Sequence, residues 1–250
     1  MCSSDLLEDQ ILVNLVSPDE VAAVVVEAIQ GEGGYIVPAP QFHKRLRELT
    51  ARHGILLVID EVQSGMGRTG KMFGIEHFGV EPDIVAVAKG VASGVPLGVT
   101  TARADVMKWP PGSHASTFGG NPVACAAATA TIGLLRDSLM KNAAEVGAFF
   151  IDGLRELQRK HPIIGDVRGV GLIQGIEFVK DRSTREHFDP KVRLNARLTA
   201  GLSKRKVWIR VPAYILPIAP PLVITADELD QLASAIDESI TEVESEIRAA

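Results

Sequence analysis

The run Ile55-Leu56-Leu57-Val58-Ile59-Asp60-Glu61 decides the fold, together with Ile84-Val85-Ala86-Val87-Ala88-Lys89 further on. Each is a short apolar stretch that closes abruptly on charge. The stretches are apolar throughout and do not alternate, which predicts parallel strands covered on both faces. A third run of the same kind, Ala22 to Val26, ends at Glu27. Between the Ala22 run and the Ile55 run lies a helical pattern. Pro40 is placed to open it as a first-turn proline, Phe42, Leu46 and Leu49 form an apolar stripe, and Gly54 closes it.

Beyond these strands, Asn121-Pro122 reads as an N-cap followed by a first-turn proline, opening an Ala-rich helix to about Leu135. A separate helix is expected from Leu139 to Arg159. The texture changes after His161-Pro162. Strands are expected at Gly165 to Gly169, Leu172 to Val179, Val207 to Val211 and Ile215 to Ile218, with a helix near Val192 to Lys204. Thr225, with Glu228 three residues on, marks a capping box at the start of a last helix. The pattern predicts a mainly parallel α/β domain over residues 1–136 and a smaller α+β domain over residues 137–250.

A chain of 250 residues with 46% hydrophobic residues can bury a real core. A net charge of −5 gives no electrostatic footprint for nucleic acid. No apolar run is expected to span a bilayer, which takes roughly 18 residues, and the start Met1-Cys2-Ser3-Ser4-Asp5 lacks the layout of a signal peptide. Cys2 and Cys125 make neither a disulfide framework nor a zinc site, and the histidines show no metal spacing. The expectation is a cytoplasmic protein with no metal and no membrane partner.

Three charged groups follow the three strands: Glu27, Asp60 and Lys89. Open α/β sheets bind ligands at the carboxyl ends of their strands. A lysine ending a buried strand is easily desolvated, and its amine then becomes a nucleophile toward a carbonyl. An acid one strand away can hold a proton on a heterocyclic nitrogen. Taken singly, an Asp at a strand end is more often a turn former and a Lys there a solvated surface group.

The surrounding motifs settle the choice. They are Glu27-Ala-Ile-Gln-Gly-Glu-Gly-Gly34, Leu57-Val-Ile-Asp-Glu-Val-Gln-Ser-Gly65, Gly67-Arg-Thr-Gly70, Glu81-Pro-Asp-Ile-Val-Ala-Val-Ala-Lys-Gly90, Ser116-Thr-Phe-Gly-Gly-Asn-Pro122, Val167-Arg-Gly-Val-Gly-Leu172 and Ala219-Pro-Pro-Leu222. In this order they resemble the class III aminotransferases, enzymes of the fold-type I pyridoxal 5′-phosphate (PLP) group. The resemblance implies a homodimer and assigns roles. Lys89 corresponds to the Schiff-base lysine and Asp60 to the partner of the pyridinium nitrogen. Val62 packs on a ring face, Gln63 lies near the phenolic oxygen, and Thr117 reaches the cofactor phosphate of the neighbouring subunit. Glu32 corresponds to a gating acid that pairs with an arginine. The reaction implied is transfer of an amino group from an amino acid or amine to a 2-oxo acid. Amino-acid racemases share the lysine and the aspartate, so racemisation is the alternative.

Two departures qualify the resemblance. The family's N-terminal region supplies a Gly/Ser-rich phosphate turn and an aromatic ring over the cofactor, and this sequence contains neither. An inactive partial domain is therefore a further reading. Pro217 stands where many members carry arginine, so Glu32 is expected to lose its partner unless Arg210 replaces it, and the substrate to depart from the usual amino-acid binding mode. His114 and Arg168 are read as structural, Arg168 as an ion-pair partner. Gly65-Met-Gly-Arg-Thr-Gly-Lys71 has phosphate-loop spacing, but Met72 stands where a magnesium-binding Ser or Thr belongs, and the acidic strand precedes the loop.

Overall fold

The computed structural model describes residues 3–249, so Cys2 lies outside the described residues. The chain divides into two compact units. One comprises the residues up to Gly31 together with Val37–Ser138; the other comprises Glu32–Ile36 and the residues from Leu139 onward. The loop Glu32–Ile36 thus belongs with the later unit, against the continuous division at residue 136 that the sequence suggested.

In the first unit, β1 (Ala23–Glu27), β2 (Leu56–Asp60), β3 (Ile84–Val87) and β4 (Val99–Ala102) form one sheet in that order. The first three are parallel and β4 is antiparallel. The sequence missed β4: its Val-Thr-Thr-Ala is short and mostly exposed, so no apolar run announces it. Helix α1 (Phe42–Arg52) starts two residues after Pro40, which lies in the preceding turn, not in the first helical turn. Leu57 and Ile59 of β2 are fully buried, packed with Leu46, Ile75 and Phe78. Val25, on the other face of the sheet, is 67% exposed. Within the described residues the sheet is therefore sealed on one face, not on both.

Asp83 ties this unit together. Its side chain is buried, accepts the Leu57 N–H at 2.7 Å and pairs with Arg47 (2.7 Å) and Arg103 (2.6 Å). Burial alone would raise this carboxyl, but the amide and the two guanidinium groups hold it below the ordinary carboxylate range. A carboxyl depressed by folding stabilises the protein above its unfolded value, about 3.9. That contribution is lost as pH falls through the folded value. Asp83→Asn should therefore cost about 3 kcal/mol at neutral pH and flatten the fall in melting temperature below about pH 4. Parallel melting curves for the two proteins across that range would refute the account.

Helix α2 (Pro122–Leu134) opens as read, with Asn121 Oδ1 accepting the Val123 and Ala124 amides at 2.9 and 3.3 Å. A π-helical turn, Leu135–Leu139, then carries it directly into α3 (Met140–Lys160). The two helices expected separately are one 39-residue stretch, long and apolar enough by length and composition to cross a membrane. The reading of short apolar runs missed this because Ala, Thr and Gly dilute the pattern.

In the second unit, β5 (Ile164–Val170), β6 (Ile173–Phe178) and β7 (Ile215–Ile218) form an antiparallel sheet. It packs with α3, α4 (Leu194–Lys204) and α5 (Ala226–Arg248) around Phe150, Leu154, Phe178, Leu202, Leu216 and Ile236. The Thr225–Glu228 capping box is present at the start of α5. The stretch Val207 to Val211 is not a strand. Its alternation is real, since Val207 and Ile209 pack on the core while Trp208 and Arg210 face out, but among the described residues it has no ladder partner.

Candidate functional site

Register brings the acids together. Glu27 and Asp60 are the last residues of β1 and β2, not the residues after them, and they are direct neighbours across the parallel pair. Asp60 lies beside Ala86 of β3, three residues before Lys89. Glu27 is turned to its own loop, and both its oxygens accept the Gly31 N–H at 3.1 Å. Asp60 is half-buried, and its Oδ1 accepts the Val62 N–H at 2.9 Å, which fixes the turn after β2.

That turn has an anchor that sequence reading did not assign. Side chains alternate along a strand, so Glu61 points into the core opposite to Asp60. It is fully buried, accepts the Ser64 hydroxyl at 2.6 Å and receives the Gly74 and Ile75 amides at 2.9 and 2.7 Å. Burial pushes the Glu61 carboxyl up, while these three donors favour its charged form. The Asp-Glu pair at a strand end was the available signal, one acid for each face. The Gly65–Lys71 stretch folds into turns and opens no helix, which removes the phosphate-loop reading.

Lys89 follows β3 in a 3-10 turn, Lys89–Ala92, with its backbone at φ +46°. A bulky L residue pays about 1–2 kcal/mol for that conformation. Val91 and Ala92 anchor the turn in the interior, and the Ser93 hydroxyl bonds Thr131 on α2 at 2.9 Å. The Lys89 amine reaches Gln63 Oε1 at 3.4 Å. Lys89 is exposed, however, so the desolvation expected of a buried strand end is not provided by the described residues. Gly31 lies on the other side of the same amide: a Cβ there would sit 2.2 Å from Gln63 Oε1, so only glycine leaves the amide its place.

An amine for an aldehyde, a carboxylate one strand away for a ring nitrogen, and an amide between the loops form a donor set that fits a pyridoxal group. Among the described residues no group of three His, Cys, Asp or Glu is placed to hold a metal. Thr117 and His114 are exposed in an irregular stretch. A cavity of about 680 Å³ lined by Lys71, Phe73, Glu76, Asp83 and Arg103 involves none of these groups.

In the second unit the Glu32 carboxylate is bound by Arg210 Nη2 at 2.7 and 2.8 Å, with both side chains exposed. Of the two outcomes expected for Glu32, the structure therefore has the second: Arg210 replaces the arginine that Pro217 does not supply. Pro217 sits in β7 opposite Gly175, and the cation comes instead from the outward face of the extended stretch after α4. Arg168 is the structural ion-pair partner expected, with Nη1 on Asp166 at 2.7 Å and Glu177 at 2.6 Å.

Comparison with known proteins matches residues 3–240 to "Aminotransferase class-III". An acetylornithine aminotransferase of Caldanaerobacter subterraneus subsp. tengcongensis is 39% identical over 227 residues, covering 90% of this chain and 55% of that protein. A leucine/methionine racemase of Thermococcus litoralis is 41% identical over 228 residues, covering 90% and 51%. The solved PLP-bound amine transaminase from an uncultivated Pseudomonas species superposes with a TM-score of 0.89 at 37% identity, covering 96% of this chain and 56% of that one. The chain spans about half the length of the curated relatives it matches.

Proposed function

This chain belongs to the class-III aminotransferase family and has its fold-type I architecture, and on that premise we propose that it works as a PLP-dependent aminotransferase moving an amino group from an amino acid or amine to a 2-oxo acid. The observation that carries the reading is Lys89, held at a strained backbone angle one strand from Asp60 and bonded to Gln63.

PLP, when bound, supplies the electron sink that makes the substrate Cα–H acidic. Lys89 would hold the cofactor, and its free amine would be the base that moves the substrate Cα proton. The Asp60 carboxylate keeps a proton on the ring nitrogen. Val62 would pack against a face of the bound ring, and the Gln63 amide would meet its phenolic oxygen. Thr117 serves the cofactor phosphate of a second subunit, which makes the working form a homodimer, and its exposure in this chain suits that role. We place the protein in the cytoplasm. Arg136 and Asp137 at the π-helical turn suit a helix covered by protein better than one in lipid.

Arg210, opposite Glu32, is the cation for a substrate carboxylate, and Glu32 neutralises it when the substrate has none. The racemases among the relatives favour a second reading, in which the proton returns to Cα. The two are separated by supplying the protein and PLP with an L-amino acid, with and without pyruvate or 2-oxoglutarate. New oxo acid that needs the acceptor is the expected result; D-isomer formed without an acceptor would replace transfer by racemisation. In the same assay Arg210→Ala should raise KM for a carboxylate-bearing donor roughly 10- to 100-fold, as expected for one charge-assisted pair. A carboxylate-free amine should be unaffected. Equal effects on both would remove Arg210 from the carboxylate site.

A further inference from the structure

Besides the Arg210 pair on Glu32 itself, a second arginine grips the backbone of the loop that carries it. Arg168 Nε donates to the Gly34 carbonyl at 2.8 Å, while its Nη1 is engaged by Asp166 and Glu177. Arg168 is half-buried, and its two acidic partners hold the guanidinium above its ordinary value against the cost of burial. The backbone that it grips is unusual. Gly34 and Tyr35 both have positive φ, +109° and +54°. A Cβ at Gly34 would meet Ile215 Cδ1 at 2.4 Å and Arg168 Nη2 at 2.9 Å. Two successive left-handed residues persist only where surrounding contacts over-determine them. Arg168 is such a contact, and Glu32 lies two residues upstream of the carbonyl it binds.

We infer that Arg168 is a positioning residue for carboxylate recognition: by fixing the Gly34 carbonyl it sets the place of Glu32, and so decides where Arg210 waits for a substrate carboxylate. This rests on the reading of Glu32 and Arg210 as the carboxylate gate. The fork matters as much as the charge. Nε and Nη1 point to different partners, and a lysine ammonium cannot serve the carbonyl and both acids in that geometry. His187, 3.9 Å from Glu177, stands next to the same network.

The test compares Arg168→Lys, Arg168→Gln and Arg210→Ala in the PLP-loaded protein. Arg168→Lys keeps a cation between Asp166 and Glu177, so its melting temperature should stay near that of the parent. Its KM for a carboxylate-bearing donor should rise about tenfold, the size of one lost hydrogen bond to a charged group, with kcat within about threefold and a carboxylate-free amine unchanged. Hydrogen exchange at the amides of residues 33–36 should quicken, while those of β6 stay protected, a readout independent of turnover. Arg168→Gln should show the same pattern, larger, if it folds. Unchanged exchange and KM in Arg168→Lys, or equal losses on both kinds of substrate, would overturn the inference. If Arg210→Ala itself fails to distinguish the two substrates, the gate reading falls first; if Arg210→Ala distinguishes them and Arg168→Lys does not, only the role of Arg168 falls.

Discussion

Replacing Lys89 by alanine should leave a protein from which borohydride treatment in the presence of PLP fixes no pyridoxyl group on any peptide, where the parent gives one modified peptide, at Lys89. Turnover should fall by roughly 10⁴-fold, because the residue that moves the Cα proton is lost together with the covalent anchor. The backbone sharpens this prediction. Lys89 sits at φ +46°, a conformation that costs an L residue about 1–2 kcal/mol and that glycine adopts freely. Lys89→Gly should therefore be more stable than Lys89→Ala by about 1 kcal/mol, though equally inactive. That combination is the signature of strain kept for the sake of the amine's position. A pyridoxyl group found on another lysine of the alanine variant would reassign the anchor. Equal stability of the two variants would mean that the turn relaxes once the lysine is gone.

The placement of Asp60 and Lys89 at neighbouring strand ends was legible in the sequence because its logic is local. An apolar run that stops on charge marks a strand end, and strand ends in a parallel sheet share one edge. The same logic explains what stayed hidden. Arg210 could be offered only as a substitute partner for Glu32, because the two are 178 residues apart and no periodicity joins them. Pro217, the position at which the sequence suggests a lost cation, proved uninformative because the cation arrives from a neighbouring stretch. That stretch, Val207 to Val211, alternates as a strand does, yet alternation reports only that one side faces a core, not that a ladder exists. β4 was invisible for the opposite reason: an edge strand with exposed Val99, Thr100 and Thr101 carries no apolar signal. Apolar runs also say nothing of what covers them, which is why two sealed faces were expected where Val25 is open. The Lys89 backbone angle and the Arg168 bond to Gly34 depend on tertiary contacts that the sequence pattern does not contain.

Asp60→Asn is the sharper test of the chemistry, because it changes charge and little else. Asp60 Oδ1 accepts the Val62 N–H, and an asparagine oxygen can accept the same bond. The turn carrying Val62 and Gln63 is anchored separately by Glu61, which holds Ser64, Gly74 and Ile75 from the opposite face. Folding stability should therefore change by less than about 1 kcal/mol. Catalysis should not be spared. A neutral amide gives no electrostatic support to a proton on the ring nitrogen, so charge developing at Cα has nowhere to go. Loss of one such preorganised charge is worth roughly 10²- to 10³-fold in turnover, about 3–4 kcal/mol. The neighbouring acid provides the control. Glu27 lies directly across the β1–β2 pair from Asp60, but both its oxygens are committed to the Gly31 amide. Glu27→Gln should keep turnover within about tenfold while loosening the loop that leads to Glu32, a loss of the size of one hydrogen bond to a charged acceptor. If the two variants behave the other way round, Glu27 is the ring-nitrogen acid and Asp60 merely a turn former, and the register that sets these carboxylates side by side makes that exchange the one outcome most able to sink the assignment.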